Sequence, residues 1–415
     1  MIFVFILPNI SFGQVYSNDV TVYVNQDEIS FPDQKPFINK HDRTLVPIRF
    51  IAENMGAEVE WINDERKVII EKRNDVIELQ ISQNSAKVND NIIAFDTYPS
   101  IHGDRTMVPL RFVSETLGAK VEWDNKTRSV HIDQSSSRIA VREITIGNSQ
   151  SKVKEKLGQP ERKDPSPYGF EWYIYNQDYS EYTQIGVEDN KVVGLYSNAT
   201  WESEDGITIG ETTSAEIVKK FGEPIEKILK DDTYYMFSTD NKGRYLIDDY
   251  YATFFYDQHD NDTIFAVQLI QKDTEERFQA FYPEPCPYLK EGYEKQMQDI
   301  INASRKQTGK SELAWNEAVA KTARKHSEDM VKNNFFSHTS YDDRTLAERL
   351  KENNVDYLYA GENIATGYLC PIFAHEGLMN SYSHRQNILN DFSATGIGIA
   401  FSDVGRTYFT QNFIE

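Results

Sequence analysis

The chain carries two duplicated patterns of apolar and polar positions, and the first predicts helices followed by pairs of strands. Residues 42–50 (Asp-Arg-Thr-Leu-Val-Pro-Ile-Arg-Phe) recur at residues 104–112 as Asp-Arg-Thr-Met-Val-Pro-Leu-Arg-Phe. In the first copy, the apolar residues between positions 48 and 55 share one face of a helix. Gly56 can end that helix in the left-handed conformation. Two strands joined by a polar turn are expected within residues 59–70.

The second duplication predicts another pair of helix-plus-sheet units. Residues 144–147 (Ile-Thr-Ile-Gly) recur at residues 207–210, and Leu-Gly-Gln-Pro at 157–160 corresponds to Phe-Gly-Glu-Pro at 221–224. The apolar positions between these motifs have helical spacing, and Gly-x-Pro ends a helix because proline cannot continue it. Alternating aromatic strands follow each helix. The pattern therefore predicts an α+β module over residues 140–277.

The last third of the chain predicts a helix followed later by a hairpin. Asn316 can cap the N-terminus of a helix, which should end at residues 333–334, where asparagine tolerates the left-handed conformation. The alternation of residues 396–401 and 407–410 is typical of two hairpin strands. The predicted helix directs an apolar set toward the core: Val319, Ala320, Ala323 and Met330.

A further helix beginning near Pro371 brings three polar side chains onto one face. Glu376, Asn380 and His384 are spaced at i, i+4 and i+8, so a continuous helix would align them. Between this domain and the preceding module, residues 282–287 contain three prolines, which favour an extended, semi-rigid linker.

Composition excludes some classes of partner. With 415 residues the chain is too long for one core, and its formal net charge of -21 argues against nucleic acid as a ligand. The same charge disfavours adsorption to an anionic membrane surface. No segment approaches the roughly 20 apolar residues that span a bilayer, so the protein is not expected to be an integral membrane protein once any signal is removed.

The amino terminus and the cysteines each leave two interpretations open. Residues 1–13 are apolar and end in small residues, which is typical of a signal peptide. The first basic residue is Lys35, so that signal peptide would be truncated, and the alternative is a buried first strand. Cys286 and Cys370 either form one bridge or remain two free thiols.

Two families account for the duplicated segments. The first duplication resembles the copper amine oxidase N-terminal-like stalk domain of exported Gram-positive proteins, over residues 18–134. Its histidines, His41, His102 and His131, have no shared spacing, so no metal site is expected there. The second duplication resembles the CAP-associated N-terminal domain, over residues 140–277.

Four motifs in the last domain carry a third resemblance. They are residues 335–338 (Phe-Phe-Ser-His), 361–365 (Gly-Glu-Asn-Ile-Ala), the histidine-rich segment 375–389, and 408–413 (Tyr-Phe-Thr-Gln-Asn-Phe). Together they resemble the bacterial CAP superfamily, which includes cysteine-rich secretory proteins, antigen 5 and plant pathogenesis-related 1 proteins, over residues 288–415. The resemblance implies an α+β multidomain protein. In it, a C-terminal α-β-α sandwich (the CAP fold) follows the two duplicated α+β modules, and two histidines and two glutamates line its central cleft.

Carried over residue by residue, the resemblance places His338, His384 and Glu362 in this cleft. Glu376 is the candidate for the second glutamate, and Asn380 shares its helical face. Eight residues of straight helix span about 12 Å, which is too far for Glu376 and His384 to bind one ion together. Either the helix breaks at the serines that precede His384, or Glu376 acts through a second shell of hydrogen bonds.

The proposed cleft residues suit a divalent cation. Two neutral imidazoles, from His338 and His384, and the carboxylate of Glu362 could bind Zn²⁺ or another divalent cation with a position open for water. His326, within the first long helix, is expected to be packed or solvent-facing rather than to act as a ligand. No residue is assigned a catalytic role.

The resemblance implies a secreted protein that is extracellular or associated with the cell wall. The favoured hypothesis is a non-enzymatic binding module for a cell-wall component, a lipid or a peptide, because CAP domains usually bind rather than catalyse. The alternative is a metal-dependent hydrolase acting on peptide or cell-wall material, since a metal-bound hydroxide beside a glutamate base can hydrolyse such bonds. A purely structural scaffold is the third hypothesis.

Overall fold

The computed structural model describes residues 20–25, 27–72, 75–89, 91–133, 139–199 and 206–415. The signal peptide expected at residues 1–13 lies outside these residues. The chain divides into two compact units, Met1–Ser136 and Ser137–Glu415. Within the described ranges, no helix is both long enough and apolar enough to cross a membrane. Helices and strands are mixed in both units, as the α+β prediction requires.

The first unit is built from short strands and two helices of about two turns each. The helices are α1 (Ile48–Asn54) and α2 (Leu110–Thr116). The strands are β1 (Thr21–Val24), β2 (Asp27–Glu28), β3 (Phe37–Ile38), β4 (Thr44–Pro47), β5 (Glu58–Ile62), β6 (Lys67–Lys72), β7 (Asp75–Gln80), β8 (Ser85–Val88), β9 (Asn91–Ala94), β10 (Ser100–His102), β11 (Arg105–Pro109), β12 (Lys120–Asp124) and β13 (Ser129–Asp133).

The two copies of the first duplication pair with each other about a local twofold axis. Strands β4 and β11 are antiparallel, and Val46 lies opposite Val108, its counterpart in the other copy. The predicted helix is confirmed, with Ile51 fully buried in the core. The predicted strand pair is also confirmed, because β5 and β6 are antiparallel neighbours. Duplication of sequence therefore produces duplication of structure around one shared core.

The second unit holds the longer elements. Its helices are α3 (Gln150–Leu157), α4 (Ser214–Phe221), α5 (Lys272–Arg277), α6 (Pro287–Gln307), α7 (Glu317–Lys332), α8 (Leu346–Glu352), α9 (Pro371–Met379) and α10 (Tyr382–Leu389), with a short 3₁₀ helix at Tyr179–Glu181. Its strands are β14 (Arg162–Pro165), β15 (Glu171–Tyr175), β16 (Thr183–Glu188), β17 (Lys191–Ser197), β18 (Lys227–Lys230), β19 (Thr233–Met236), β20 (Lys242–Ile247), β21 (Tyr250–Asp257), β22 (Thr263–Gln271), β23 (Ala314–Trp315), β24 (Ala360–Thr366), β25 (Ala394–Phe401) and β26 (Thr407–Ile414).

The second duplication forms one seven-stranded sheet, hereafter the module sheet, in the order β14-β15-β16-β17-β22-β21-β20. Helices α3 and α4 end at Gly158 and Gly222, whose φ angles of 78° and 81° are open to glycine without strain. These are the Gly-x-Pro stops that the sequence predicted. Strands β18 and β19 form a separate hairpin between α4 and β20.

The carboxy-terminal part is a four-stranded sheet, hereafter the CAP sheet, with helices on both of its faces. Its order is β23-β25-β26-β24, and the predicted hairpin of β25 and β26 is confirmed. Helix α7 packs so closely on β25 that a Cβ at Gly396 or Gly398 would overlap the α7 backbone. On the other face, Ile397 and Ile399 join the core that contains α6. The Asn316 side chain accepts hydrogen bonds from the first turn of α7, which confirms the predicted cap.

The proline-rich linker joins two parts that are packed against each other. Trp172 and Tyr196 of the module sheet share one apolar core with Ile300 of α6 and Phe409 of the CAP sheet. Ion pairing and hydrogen bonding cross the same interface, where Arg162 pairs with Asp299 of α6. The sequence predicted the extended joint but gave no sign of this contact.

The predicted continuous helix after Pro371 is interrupted. Helix α9 ends at Met379 and α10 begins at Tyr382. At the break, the Asn380 side chain bonds the backbone of the module sheet, accepting from the N–H of Gln258 at 2.9 Å and donating to the carbonyl of Tyr256 at 2.9 Å. The prediction that Glu376, Asn380 and His384 share one helical face is therefore wrong. Of the two alternatives, the helix break is the one observed.

The close approach of α7 to β25 gives a direct test. Gly398→Ala would drive a Cβ into the backbone of Arg324, so we expect the free energy of unfolding to fall by about 1–3 kcal/mol or more, measured by urea denaturation. Ala394→Ser, at the half-buried start of the same strand, is the control and should change stability by less than about 1 kcal/mol. A urea denaturation midpoint for Gly398→Ala equal to that of the wild type would contradict the observed packing.

Candidate functional site

Glu362 is the centre of a buried polar cluster beside the CAP sheet. It lies on β24, and its carboxylate is only 3% exposed. One oxygen, Oε1, lies 3.0 Å from Nδ1 of His338, whose N–H donates to it. The other, Oε2, accepts a hydrogen bond from Nη2 of Arg349 at 2.5 Å. Both oxygens of this glutamate therefore already have partners.

Arg349 holds the loop that carries His338. Its guanidinium is buried and donates from Nη1 to the carbonyl of His338 at 2.8 Å and to Oγ of Ser340 at 3.1 Å. Helix α8, which carries Arg349, begins with a capping box between Thr345 and Glu348 that fixes its first turn. One arginine thus ties the His338 loop and Glu362 to the same helix.

His326 lies beneath this cluster on α7. Its side chain is fully buried, and Nε2 donates to the carbonyl of Ser337 at 2.9 Å. The same nitrogen is 4.0 Å from Oε1 of Glu362. Burial lowers the pKa of His326, so the ring is neutral at pH 7 and Nδ1, which has no hydrogen-bond partner, is the unprotonated nitrogen. Of the two expected positions, packed or solvent-facing, His326 takes the packed one, and it orients the segment leading into His338.

His384 enters from α10 and is held from both its side chain and its backbone. Its Nδ1 lies 2.8 Å from Oγ of Ser381, and its carbonyl accepts from Nδ2 of Asn363 at 3.1 Å. Asn387 adds a second tie, donating to Oδ1 of Asn363 at 2.9 Å. Burial lowers the pKa of His384, and the electrostatic effect of nearby His338 lowers it further. Its imidazole is therefore neutral at pH 7.

Glu376 and Asn380 face the module sheet. Oε1 of Glu376 accepts a hydrogen bond from the hydroxyl of Tyr196 at 2.7 Å, and Oε2 is buried without a partner. Burial raises the pKa of Glu376 to about 8. Asn380 bonds the backbone of β21 and the residue that follows it, as described above. The contacts of these two side chains are with the module sheet, whereas those of His338, Glu362 and His384 are within the CAP part.

Sequence reasoning missed the groups that hold the cluster together. The sequence did not indicate the contact of Arg349 with Glu362, because a helical arginine is usually exposed. Only the tertiary fold brings the two side chains together. Asn387 lies in the motif that was recognised but was not assigned a role. Across the described ranges, no three His, Cys, Asp or Glu side chains are grouped so that they could hold a metal ion. The Nε2 atoms of His338 and His384 have no hydrogen-bond partner in the part of the chain that the structure describes.

Removing the partner of buried Glu362 should be costly. Arg349→Met leaves the Glu362 carboxylate buried without its cation, so we expect a loss of about 3–5 kcal/mol in the free energy of unfolding. Adding Glu362→Gln to that variant removes the uncompensated charge and should recover part of the loss. Urea denaturation of the two single variants and the double variant measures the coupling. A loss below about 1 kcal/mol in Arg349→Met would contradict the ion pair.

Glu376 should make stability depend on pH. In the unfolded chain it loses its proton near pH 4.5, whereas in the fold it keeps that proton until about pH 8. The folded state therefore binds more protons between these pH values. As the pH rises, the free energy of unfolding falls by about 1.4 kcal/mol per pH unit. Glu376→Gln keeps an acceptor for Tyr196 and should remove this slope.

The informative window for that comparison is pH 6.5 to 8. Burial lowers the pKa values of His326, His375 and His384, so these histidines reduce stability as the pH falls through and below the usual histidine range, and they do so equally in both proteins. Denaturation of the wild type and Glu376→Gln at several pH values in this window isolates the carboxyl. Parallel stability curves for the two proteins would show that Glu376 is ionised in the fold.

Three family models match consecutive parts of the chain. The copper amine oxidase N-terminal domain matches residues 23–132, the CAP-associated N-terminal domain residues 146–281, and the cysteine-rich secretory protein family (CAP) residues 298–413. These are the three resemblances that the motifs carried, in the same order along the chain.

Curated relatives and solved structures match large parts of the chain. The uncharacterized membrane protein YlbC of Bacillus subtilis is 33% identical over 295 residues, which are 65% of this chain and 82% of the relative. The uncharacterized protein YkwD of the same organism is 37% identical over 129 residues, 31% of this chain and 49% of the relative.

Among solved structures, an extracellular SCP-domain protein from Bacillus anthracis is 31% identical, with a TM-score of 0.58 over 65% of this chain and 93% of its own. A cysteine-rich secretory protein from Staphylococcus aureus has the same fold, with a TM-score of 0.54 at 21% identity over 65% of this chain and 93% of its own. The chain therefore belongs to the bacterial CAP (SCP-domain) proteins in which a CAP-associated N-terminal domain precedes the CAP domain.

Proposed function

We propose that this protein is an extracellular or cell-wall-associated binding protein, and that its CAP domain binds rather than hydrolyses its ligand. The cleft of this proposal is formed by His338, Glu362 and His384. A cell-wall component, a lipid or a peptide is the class of ligand expected at such a site. The similarity to a solved SCP-domain protein described as extracellular supports the location.

The observation that carries this proposal is the engagement of Glu362. A hydrolase of this type needs a carboxylate free to take a proton from the attacking water. Here one oxygen of Glu362 bonds His338 and the other bonds Arg349. The second glutamate named from the sequence, Glu376, bonds Tyr196 in the interface with the module sheet. Neither carboxylate is placed as a general base, which favours binding.

The orientation of the two cleft histidines supports a divalent cation as their ligand. Glu362 bonds Nδ1 of His338 and Ser381 bonds Nδ1 of His384, so each ring is oriented through one nitrogen. Hydrogen bonds of this kind commonly orient metal-binding histidines and leave Nε2 as the ligand atom. We therefore propose His338 and His384 as the protein ligands of Zn²⁺ or another divalent cation, with Glu362 orienting His338. Such a cation would supply positive charge to attract an anionic or carbonyl-bearing ligand.

One observation keeps the hydrolase as the second candidate. His384 is half-buried, and its lowered pKa leaves it neutral at pH 7, so its imidazole could accept a proton. A peptide or cell-wall hydrolase that used His384 as its base would not require a free glutamate. Turnover of peptide or cell-wall fragments that disappears in His338→Ala and in His384→Ala would favour this candidate.

Titration calorimetry of the full chain with Zn²⁺ tests the binding proposal. We expect saturable binding in the wild type and at least a tenfold loss of affinity in His338→Ala/His384→Ala. The control is His41→Ala/His102→Ala, which removes two exposed histidines from the first unit and should leave the affinity unchanged. No Zn²⁺ binding by the wild type, or equal losses in both double variants, would contradict a cation at the cleft.

A further inference from the structure

A separate cavity of about 220 Å³ lies between the module sheet and the segment leading into α9. Its lining differs from that of the histidine cleft, because aromatic rings line much of the cavity. Tyr235 and Phe237 contribute from the β18–β19 hairpin and the residue after it, and Tyr368 and Phe373 contribute from the CAP part. Phe281, at 64% exposure, stands at its rim. Aromatic side chains therefore form a large part of the cavity wall.

The charged side chains that line this cavity are unbalanced. Lys230, Lys242 and Arg244 are the cations, and Glu275 is the carboxylate among the lining residues. Nζ of Lys230 donates to Oε1 of Glu275 at 2.7 Å and to the carbonyl of Phe278 at 2.8 Å. Glu275 also accepts from the hydroxyl of Tyr168 at 3.0 Å. The carboxylate is thus already committed to Lys230 and Tyr168.

Arg244 shares the carboxylate of Glu275 with Lys230. Its Nη1 lies 3.6 Å from Oε1 of Glu275, which is outside hydrogen-bonding distance, and that nitrogen is buried without any hydrogen-bond partner. Nε donates to Thr253 at 3.1 Å, and the guanidinium lies 4.0 Å from the centre of the Phe237 ring. The side chain is 7% exposed. A buried cation that shares its single carboxylate is costly unless a further anion compensates it.

Lys242 places a second cation at the same cavity. It lies on β20, two residues before Arg244, and the described hydrogen bond of its Nζ is to the neutral amide of neighbouring Asn241 at 3.2 Å. Burial and the adjacent Arg244 lower the pKa of Lys242, and the charge of Asp240 offsets this lowering only in part. Two cations therefore line a cavity whose one lining carboxylate, Glu275, is hydrogen-bonded to Lys230 and Tyr168, in a chain whose formal net charge is -21.

We propose that this cavity binds a small carboxylate with an aromatic or apolar body, its carboxylate between Arg244 and Lys242. The planar guanidinium can donate two parallel hydrogen bonds to a carboxylate, and the ammonium adds a third. A cavity of about 220 Å³ suits an apolar body of about one ring, since an apolar cavity of roughly 150 Å³ binds benzene. A free carboxylic acid and the C-terminal residue of a peptide both present this chemistry.

Benzoate is the probe for this site, with neutral benzamide as its isostere. Calorimetry on the full chain should show saturable benzoate binding and at least tenfold weaker binding of benzamide. Arg244→Gln and Lys242→Gln should each weaken benzoate binding at least tenfold. Lys227→Gln, which removes an exposed lysine of the neighbouring hairpin outside the cavity, should bind benzoate like the wild type.

A second pair of probes distinguishes the two sources of ligand. If acetyl-Ala-Ala-Phe binds at least as tightly as benzoate, and the same peptide with a C-terminal amide does not bind, the ligand is a peptide terminus. If benzoate binds and the peptide does not, the ligand is a free acid. Should Arg244→Gln fail to fold, Lys242→Gln decides, because Lys242 is only half-buried. Failure of both carboxylates to bind, or benzamide binding as tightly as benzoate, would overturn the proposal. The histidine cleft takes no part in this test, so its outcome is independent of the proposed function.

Discussion

The packing of α6 between two sheets is the constraint on which the second unit depends. Asp299 of this helix pairs with Arg162 of the module sheet, while Met297 accepts a hydrogen bond from Gln411 of the CAP sheet. Arg305 donates to three backbone carbonyls that follow or end α10. A helix buried on both sides cannot leave one sheet without exposing apolar surface. The module and the CAP part are consequently one core, and the proline-rich joint connects neighbours.

This constraint divides the polar residues of the CAP part into two groups with different tasks. Where the CAP part meets the module sheet, Glu376 and Asn380 form hydrogen bonds with that sheet, and Asn380 lies at the break between α9 and α10. His384 lies on α10, which begins after this break. Elsewhere, Arg349 neutralises Glu362 and fixes the backbone of His338. One glutamate therefore stabilises the joint between two parts, and the other orients a histidine.

Local features of the sequence predicted local features of the fold. The Asn316 cap, the glycine stops at Gly158 and Gly222, and the β25–β26 hairpin each depend on residues close together in the chain, and each is confirmed. The helix break escaped prediction because the carbonyl that holds Asn380 lies 124 residues away in the sequence. The positions of His338, His384 and Glu362 came from the family resemblance, whereas the partners that set their chemistry, such as Arg349, required the tertiary structure.

The most direct test of a single core is native-state hydrogen exchange of the full chain at increasing guanidinium concentration. Ile185 of β16 and Ile399 of β25 are fully buried reporters of the module sheet and the CAP sheet. If α6 joins the two sheets into one cooperative unit, both amides should lose protection with the same free energy of opening and the same denaturant dependence. Exchange of Ile185 at a clearly lower denaturant concentration than Ile399, or the reverse, would show two independent domains and contradict the account.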